Sequence, residues 1–163
     1  MSWYGRDIDD RAYLLRAIEL ARSGMERGQG GPFGAVVVQR DAVLGEGENR
    51  VVATNDPTAH AEVVAIRNAC AKVGRFSLQG ATLYASSEPC PMCLAAAYWS
   101  RLDRIVFAND RAVASRAGFD DSFFYDELAR PISERRTPLA QVSVSGAERL
   151  FDEWTSKADR VRY

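Results

Sequence analysis

The chain has 163 residues and a formal net charge of −1, with 21 Lys and Arg set against 22 Asp and Glu. At 47% hydrophobic and 26% charged it is too apolar for a disordered chain, and its length fits one domain of roughly 100–200 residues. The near-neutral balance argues against a protein that lives on nucleic acid, and the longest charge-free stretches, Phe76–Ser87 and Pro89–Ser100, fall short of the ~20 apolar residues of a membrane helix.

Leu14, Ala17, Ile18, Ala21 and Met25 recur at helical spacing and predict an amphipathic helix over Asp9–Glu26, stopped by the Gly- and Pro-rich stretch 28–32. Two β-branched runs, Ala35–Gln39 and Val43–Glu48, flank Arg40-Asp41 and predict a hairpin. Asn55-Asp56-Pro57-Thr58 marks Asn49–Ala59 as a loop. His60–Val73 returns to the helical step and ends at Gly74, and Ala81–Ser86 reads as a strand. Pro91 suits the first position of a helix over Pro91–Arg101. Arg104–Ala108 is expected as a buried strand, followed by a helix near Ser122–Leu128, a strand Gln141–Ser145 and a helix Ala147–Lys157. This order implies an α/β domain over 1–163: a three-layer α/β/α sandwich around a mixed five-stranded sheet.

The rare residues carry the chemistry. The one histidine, His60, falls in His60-Ala61-Glu62, and two of three cysteines fall in Pro89-Cys90-Pro91-Met92-Cys93. H-x-E joined to P-C-x-x-C is the signature of zinc nucleobase deaminases, in which the glutamate is not a ligand. Cysteines at a helix start are favoured as thiolates by the unpaired N–H groups there, and their i, i+3 spacing turns both sulfurs to one side. Cys70 lies ten positions after His60 on the same predicted helix, ~15 Å along the axis, too far to share an ion. His60, Cys90 and Cys93 therefore make a three-ligand set for one Zn²⁺, and an open fourth position is the mark of a catalytic zinc, whose water Glu62 would deprotonate. The plainer readings are a redox C-x-x-C pair, a fragment of a structural zinc knuckle, and a helix-capping histidine. An odd, low cysteine count with no apolar segment behind a basic start argues for reduced thiols in a cytoplasmic protein.

A second group concerns the substrate. Phe33, in Gly30-Gly31-Pro32-Phe33-Gly34, could serve as a stacking platform or as core. Asn49 can donate and accept, Trp99 could cover a ring or pack, and Asp120-Asp121 could be a recognition pair or a helix cap.

Gly30–Val38, Asn55–Glu62, Glu88–Trp99 and Ala117–Leu128 resemble the bacterial guanine deaminases of the cytidine-deaminase-like superfamily, with the likeness running from about Leu14 to Tyr163. The resemblance implies hydrolysis of guanine to xanthine and ammonia in guanine catabolism, with one zinc per subunit and zinc-bound hydroxide as nucleophile. It implies Glu62 and Asp121 as catalytic groups, and Phe33, Asn49, Ala61, Trp99, Asp121 and Tyr163 around the purine. It further implies a homodimer in which segment 137–163 is exchanged, so that Tyr163 closes the partner's site. Ser87 departs from a frequent cysteine and Ala95 from a frequent glycine. Competing readings are a deaminase of guanosine or of adenosine in tRNA, and, outside enzymes, a zinc-stabilised interaction module.

Overall fold

Arg40 and Asp41 both take left-handed φ, 49° and 66°, and close the hairpin as a two-residue turn. The strands they join are β1 (Gly34–Gln39) and β2 (Ala42–Glu48), with Gln39 opposite Ala42. The computed structural model describes residues 9–162, and its chain forms two compact units that meet in sequence between Asp121 and Ser122.

The first unit adds α1 (Asp10–Glu26), α2 (Val51–Thr54), α3 (Ala61–Val73), β3 (Thr82–Ser87), α4 (Pro91–Trp99), β4 (Arg104–Asn109) and α5 (Arg111–Arg116). Its sheet runs β2-β1-β3-β4, with β1 antiparallel to both neighbours and β3 parallel to β4. Alternation along the strands sends side chains to two separate cores. Ala35, Val37 and Leu83 pack against Ala61, Ala65, Ile66 and Ala69 of α3 and Ala97 of α4. Val36, Val38 and Tyr84 pack against Ala17 of α1. Helices therefore cover both faces, giving the expected α/β/α layering.

Glycine lets the layers close up where it matters for the site. A Cβ on Gly45 would lie 2.4 Å from the Ala65 carbonyl oxygen, and one on Gly47 would lie 2.2 Å from that of Ala61. Backbone thus rests on backbone, and the start of α3 is fixed against the end of β2.

The second unit holds α6 (Ser122–Ala129), a 3₁₀ turn (Ile132–Glu134) and α7 (Arg149–Ser156). The strand expected at Gln141–Ser145 is absent: residues 141–144 have no regular structure, because a lone β-prone segment needs an edge to pair with and its unit offers none. The described sheet accordingly has four strands rather than five. A one-turn helix, α2, lies inside the stretch expected as a loop, and two further differences have local causes. The strand expected to be buried, β4, is a sheet edge, and Phe107 stays 43% exposed. Helix α5, not expected, is capped by Asp110, whose carboxylate accepts from Val113 N–H at 3.0 Å. Of the two departures from the resembled pattern, Ser87 is buried on β3 and Ala95 is exposed on α4.

Asp10 ties α1 to the sheet, accepting from both terminal nitrogens of Arg104 at 2.7 and 2.8 Å and from the Tyr84 hydroxyl at 2.8 Å. The Arg104 hydrogen bonds hold its pKa below the ordinary 3.8. The bonded carboxylate therefore stabilises the fold above pH 3.8, and that contribution is lost as pH falls through the lowered value. Asp10→Asn should cost about 1 kcal/mol near neutrality after solvent screening of a partly exposed pair. In urea titrations the gap from the parent protein should close in acid; a gap that persists there contradicts the linkage.

Candidate metal centre

Helices α3 and α4 begin at the same place. His60 is the N-cap of α3 and Cys90 the N-cap of α4, both in extended backbone, and Pro91 occupies the first turn of α4 without an N–H to leave unpaired. Cys93 follows in that first turn, fully buried. Nδ1 of His60 lies 3.6 Å from Cys90 Sγ and 3.5 Å from Cys93 Sγ, and the two sulfurs are 3.6 Å apart. A tetrahedral zinc with Zn–S ~2.3 Å and Zn–N ~2.0–2.1 Å requires donor separations of ~3.5–3.8 Å. The triangle fits. Among the described residues no other group of His, Cys, Asp or Glu side chains brings three donor atoms within 4.8 Å of one another, and Cys70 is not part of this one.

The proton inventory agrees. Hydrogen bonding from the Cys93 thiol, with His60 close by, draws the Cys90 thiol down to about 4. The Cys90 sulfur, burial and Glu62 push the Cys93 thiol up, while its bond to Cys90 raises His60. All three shifts arise from mutual contact among groups that a divalent cation could hold together.

Glu62, on the first turn of α3, is 5% exposed, and one carboxyl oxygen lies 3.4 Å from Cys93 Sγ. Burial is the main cause raising its pKa. Glu62 is therefore a buried carboxyl beside the cluster rather than an exposed helix-start charge.

The residues expected around a substrate divide. Asn49 is 6% exposed, and its Oδ1 accepts from Gly31 N–H at 3.3 Å and Val51 N–H at 3.2 Å, so its amide nitrogen is the atom left to donate. Asn49 N–H in turn donates to the Phe33 carbonyl at 3.0 Å. Phe33 packs partly into the α3-side core, and Phe119 meets it edge-on, ring centroids 4.9 Å apart at 86°. Phe119, given no role from the sequence, is the ring that packs against Phe33; its only sequence cue is its place beside Asp120-Asp121. Ala61 is fully buried at the first position of α3, where helix geometry gives its N–H no intrahelical acceptor. Burial raises Asp121, Arg111 lowers it, and Cys90 and Glu88 add the nearby negative charge it feels. Trp99 is 63% exposed at the last residue of α4, six residues and ~9 Å of helix beyond Cys93, with Arg101 over its ring. Tyr163 lies outside the described residues.

Comparison with known proteins gives a consistent picture. The family model of the cytidine and deoxycytidylate deaminase zinc-binding region matches residues 7–109. Guanine deaminase from Bacillus subtilis is 46% identical over 156 residues, 96% of this chain and 100% of that protein. The X-ray structure of the Bacillus subtilis guanine deaminase superposes with a TM-score of 0.91 over 94% of this chain and 98% of its own. The tRNA-specific adenosine deaminase of Haemophilus influenzae is 41% identical over 70% of this chain and 68% of its own length.

His60→Ala, Cys90→Ala and Cys93→Ala should each lose bound zinc, while Cys70→Ala keeps one ion per chain, as read by elemental analysis of purified protein. Zinc retained without Cys93, or lost without Cys70, would displace the centre.

Proposed function

The chain belongs to the cytidine and deoxycytidylate deaminase zinc-binding family, and from that premise we propose that it hydrolyses guanine to xanthine and ammonia. The extent of the likeness carries the substrate: the guanine deaminase is matched over nearly the whole chain, the tRNA-specific adenosine deaminase over 70%. The near-neutral charge of the sequence also disfavours an RNA substrate, whose phosphates call for a basic surface.

The donor set His60, Cys90 and Cys93 would hold the zinc, which when bound supplies Lewis acidity that makes water a usable nucleophile near neutral pH. Glu62, buried beside it, carries the first proton of the attacking water to N3 of the purine and the second, from the hydroxyl then on C2, to the departing amine as the C2 carbonyl forms. The C2–O bond forms, the C2–N bond breaks, and ammonia leaves with the proton. Asp121 accepts from N1–H and the 2-amino group together, a pair of donors that adenine and cytosine do not present. Phe33 stacks on the ring, the Asn49 amide donates to it, and the N–H of Ala61, unpaired within its helix, supplies a further donor. Trp99 gains no support as a pocket residue from the single chain.

The enzyme acts as a homodimer that exchanges segment 137–163 of an otherwise single deaminase domain, with Tyr163 completing the partner's site. Support comes from the apolar side chains left exposed there: Val142, Val144, Leu150 and Phe151 are each about two-thirds exposed or more, and Trp154 is 43% exposed. No helix among the described residues is long and apolar enough to cross a membrane. Three free cysteines, two of them needed as thiolate ligands, support a reducing, cytoplasmic setting.

Ammonia release is the test. Guanine should be consumed and adenine, cytosine and an anticodon stem-loop left alone. Glu62→Ala should lose turnover by roughly 10²–10⁴-fold with zinc retained. Asp121→Ala should lose guanine turnover by a similar order, ~10⁴, because a hydrogen-bonding site stripped of its acceptor fails to hold its substrate. Near-normal Asp121→Ala activity overturns the specificity assignment, and a monomeric mass at micromolar concentration with full activity overturns the dimer.

A further inference from the structure

Strand β2 carries two kinds of residue beyond the shift in its register with β1 at Val37/Val38. Gly45 and Gly47 lie under α3, on the metal side of the sheet, and Asn49 continues that series. Glu46 and Glu48 point to the other side, where Arg16 of α1 meets Glu46 at 2.8 Å and Arg27, the C-cap of α1, meets Glu48. Glu48 is 7% exposed, and Arg50 contributes a second guanidinium at 3.6 Å. Gly24 makes room for this carboxylate: a Cβ there would lie 3.0 Å from both Glu48 Cβ and Oε2. Nothing in the reaction requires a buried, paired carboxylate on the face away from the zinc site.

Its neighbours suggest why it is there. Residue 49 supplies the Oδ1 that collects Gly31 and Val51 N–H and the N–H that holds the Phe33 carbonyl. The backbone leading into that loop is set from α1 as well, since Gln29 N–H donates to the Gly24 carbonyl at 3.0 Å. Space around Asn49 is tight: a Cβ on Gly30 would fall 2.1 Å from its Oδ1. Arg27 and Glu48 thus join the end of α1 to the end of β2, one residue before the side chain that orders the substrate loop.

We propose that Glu48, clamped by Arg27, is a positioning residue for the reaction: from the far face of the sheet it sets the orientation of Asn49 and, through it, the Gly31–Phe33 loop that receives the purine. This rests on the guanine deaminase reading for its substrate, but not for its structural consequence. A small misplacement of a binding group is enough to weaken binding substantially.

Glu48→Gln keeps the shape and removes the charge; Arg27→Gln, at a half-exposed residue, does the same from the other partner and guards against a Glu48 variant that fails to fold. Each should raise KM for guanine roughly tenfold with kcat and zinc content little changed, the mark of lost binding rather than lost chemistry. Placed on Asn49→Ala, Glu48→Gln should add nothing further to KM, because its effect passes through the side chain already removed. Independently of turnover, the Gly31 and Val51 amides should exchange with solvent faster in both charge variants, while α3 amides such as Ala65 keep their rates. Additive KM effects on Asn49→Ala, a fall confined to kcat, or unchanged Gly31 and Val51 exchange would overturn the proposal. A parent protein inert towards guanine would instead sink the deaminase reading, and the exchange rates would still decide the role of Glu48.

Discussion

Two helices start at one point over the same sheet, and the rest of the site follows from that convergence. A helix start leaves backbone N–H groups unpaired and favours negative charge. Two such starts side by side gather a thiol drawn down to about 4, a second thiol and an imidazole into a triangle whose edges are 3.5–3.6 Å. The position of α3 is set by contact between backbones, since Gly45 and Gly47 leave no Cβ between β2 and the carbonyls of Ala61 and Ala65. The position of α4 follows from the parallel β3–β4 crossover that contains it. Neither helix could shift by an ångström and preserve the donor spacing.

The two faces of the sheet do different work. The α3 and α4 face carries the ligands, Glu62, Asn49 and Phe33. The α1 face carries the ion pairs Asp10–Arg104, Glu46–Arg16 and Glu48–Arg27, which fix the same strands from behind. Isolated pairs at a surface contribute little to stability. Of the three, Glu48–Arg27 sits where β2 ends, directly before Asn49, so its position matters more than its strength.

What could be read from the sequence depended on the range of the interaction. Helices α1 and α3 announce themselves by apolar periodicity, and the ligands by fixed local spacing, His60 two residues before Glu62 and Cys90 three before Cys93. The roles of Gly45, Gly47 and Gly24 could not be read, because each depends on backbone from a distant segment. Glu48 and Arg27 lie 21 residues apart, and no local pattern joins them. Phe119 meets Phe33 from a segment far off in sequence. The strand expected at Gln141–Ser145 failed for the converse reason: Val142 and Val144 supply local preference, but a strand is defined by its partner.

X-ray absorption at the zinc edge of the purified protein addresses the central claim without depending on any assay. The account predicts two sulfur neighbours at ~2.3 Å and two light neighbours at ~2.0–2.1 Å, of which the protein supplies a single imidazole nitrogen. A shell of three or more sulfurs, or one with no sulfur at all, would contradict it.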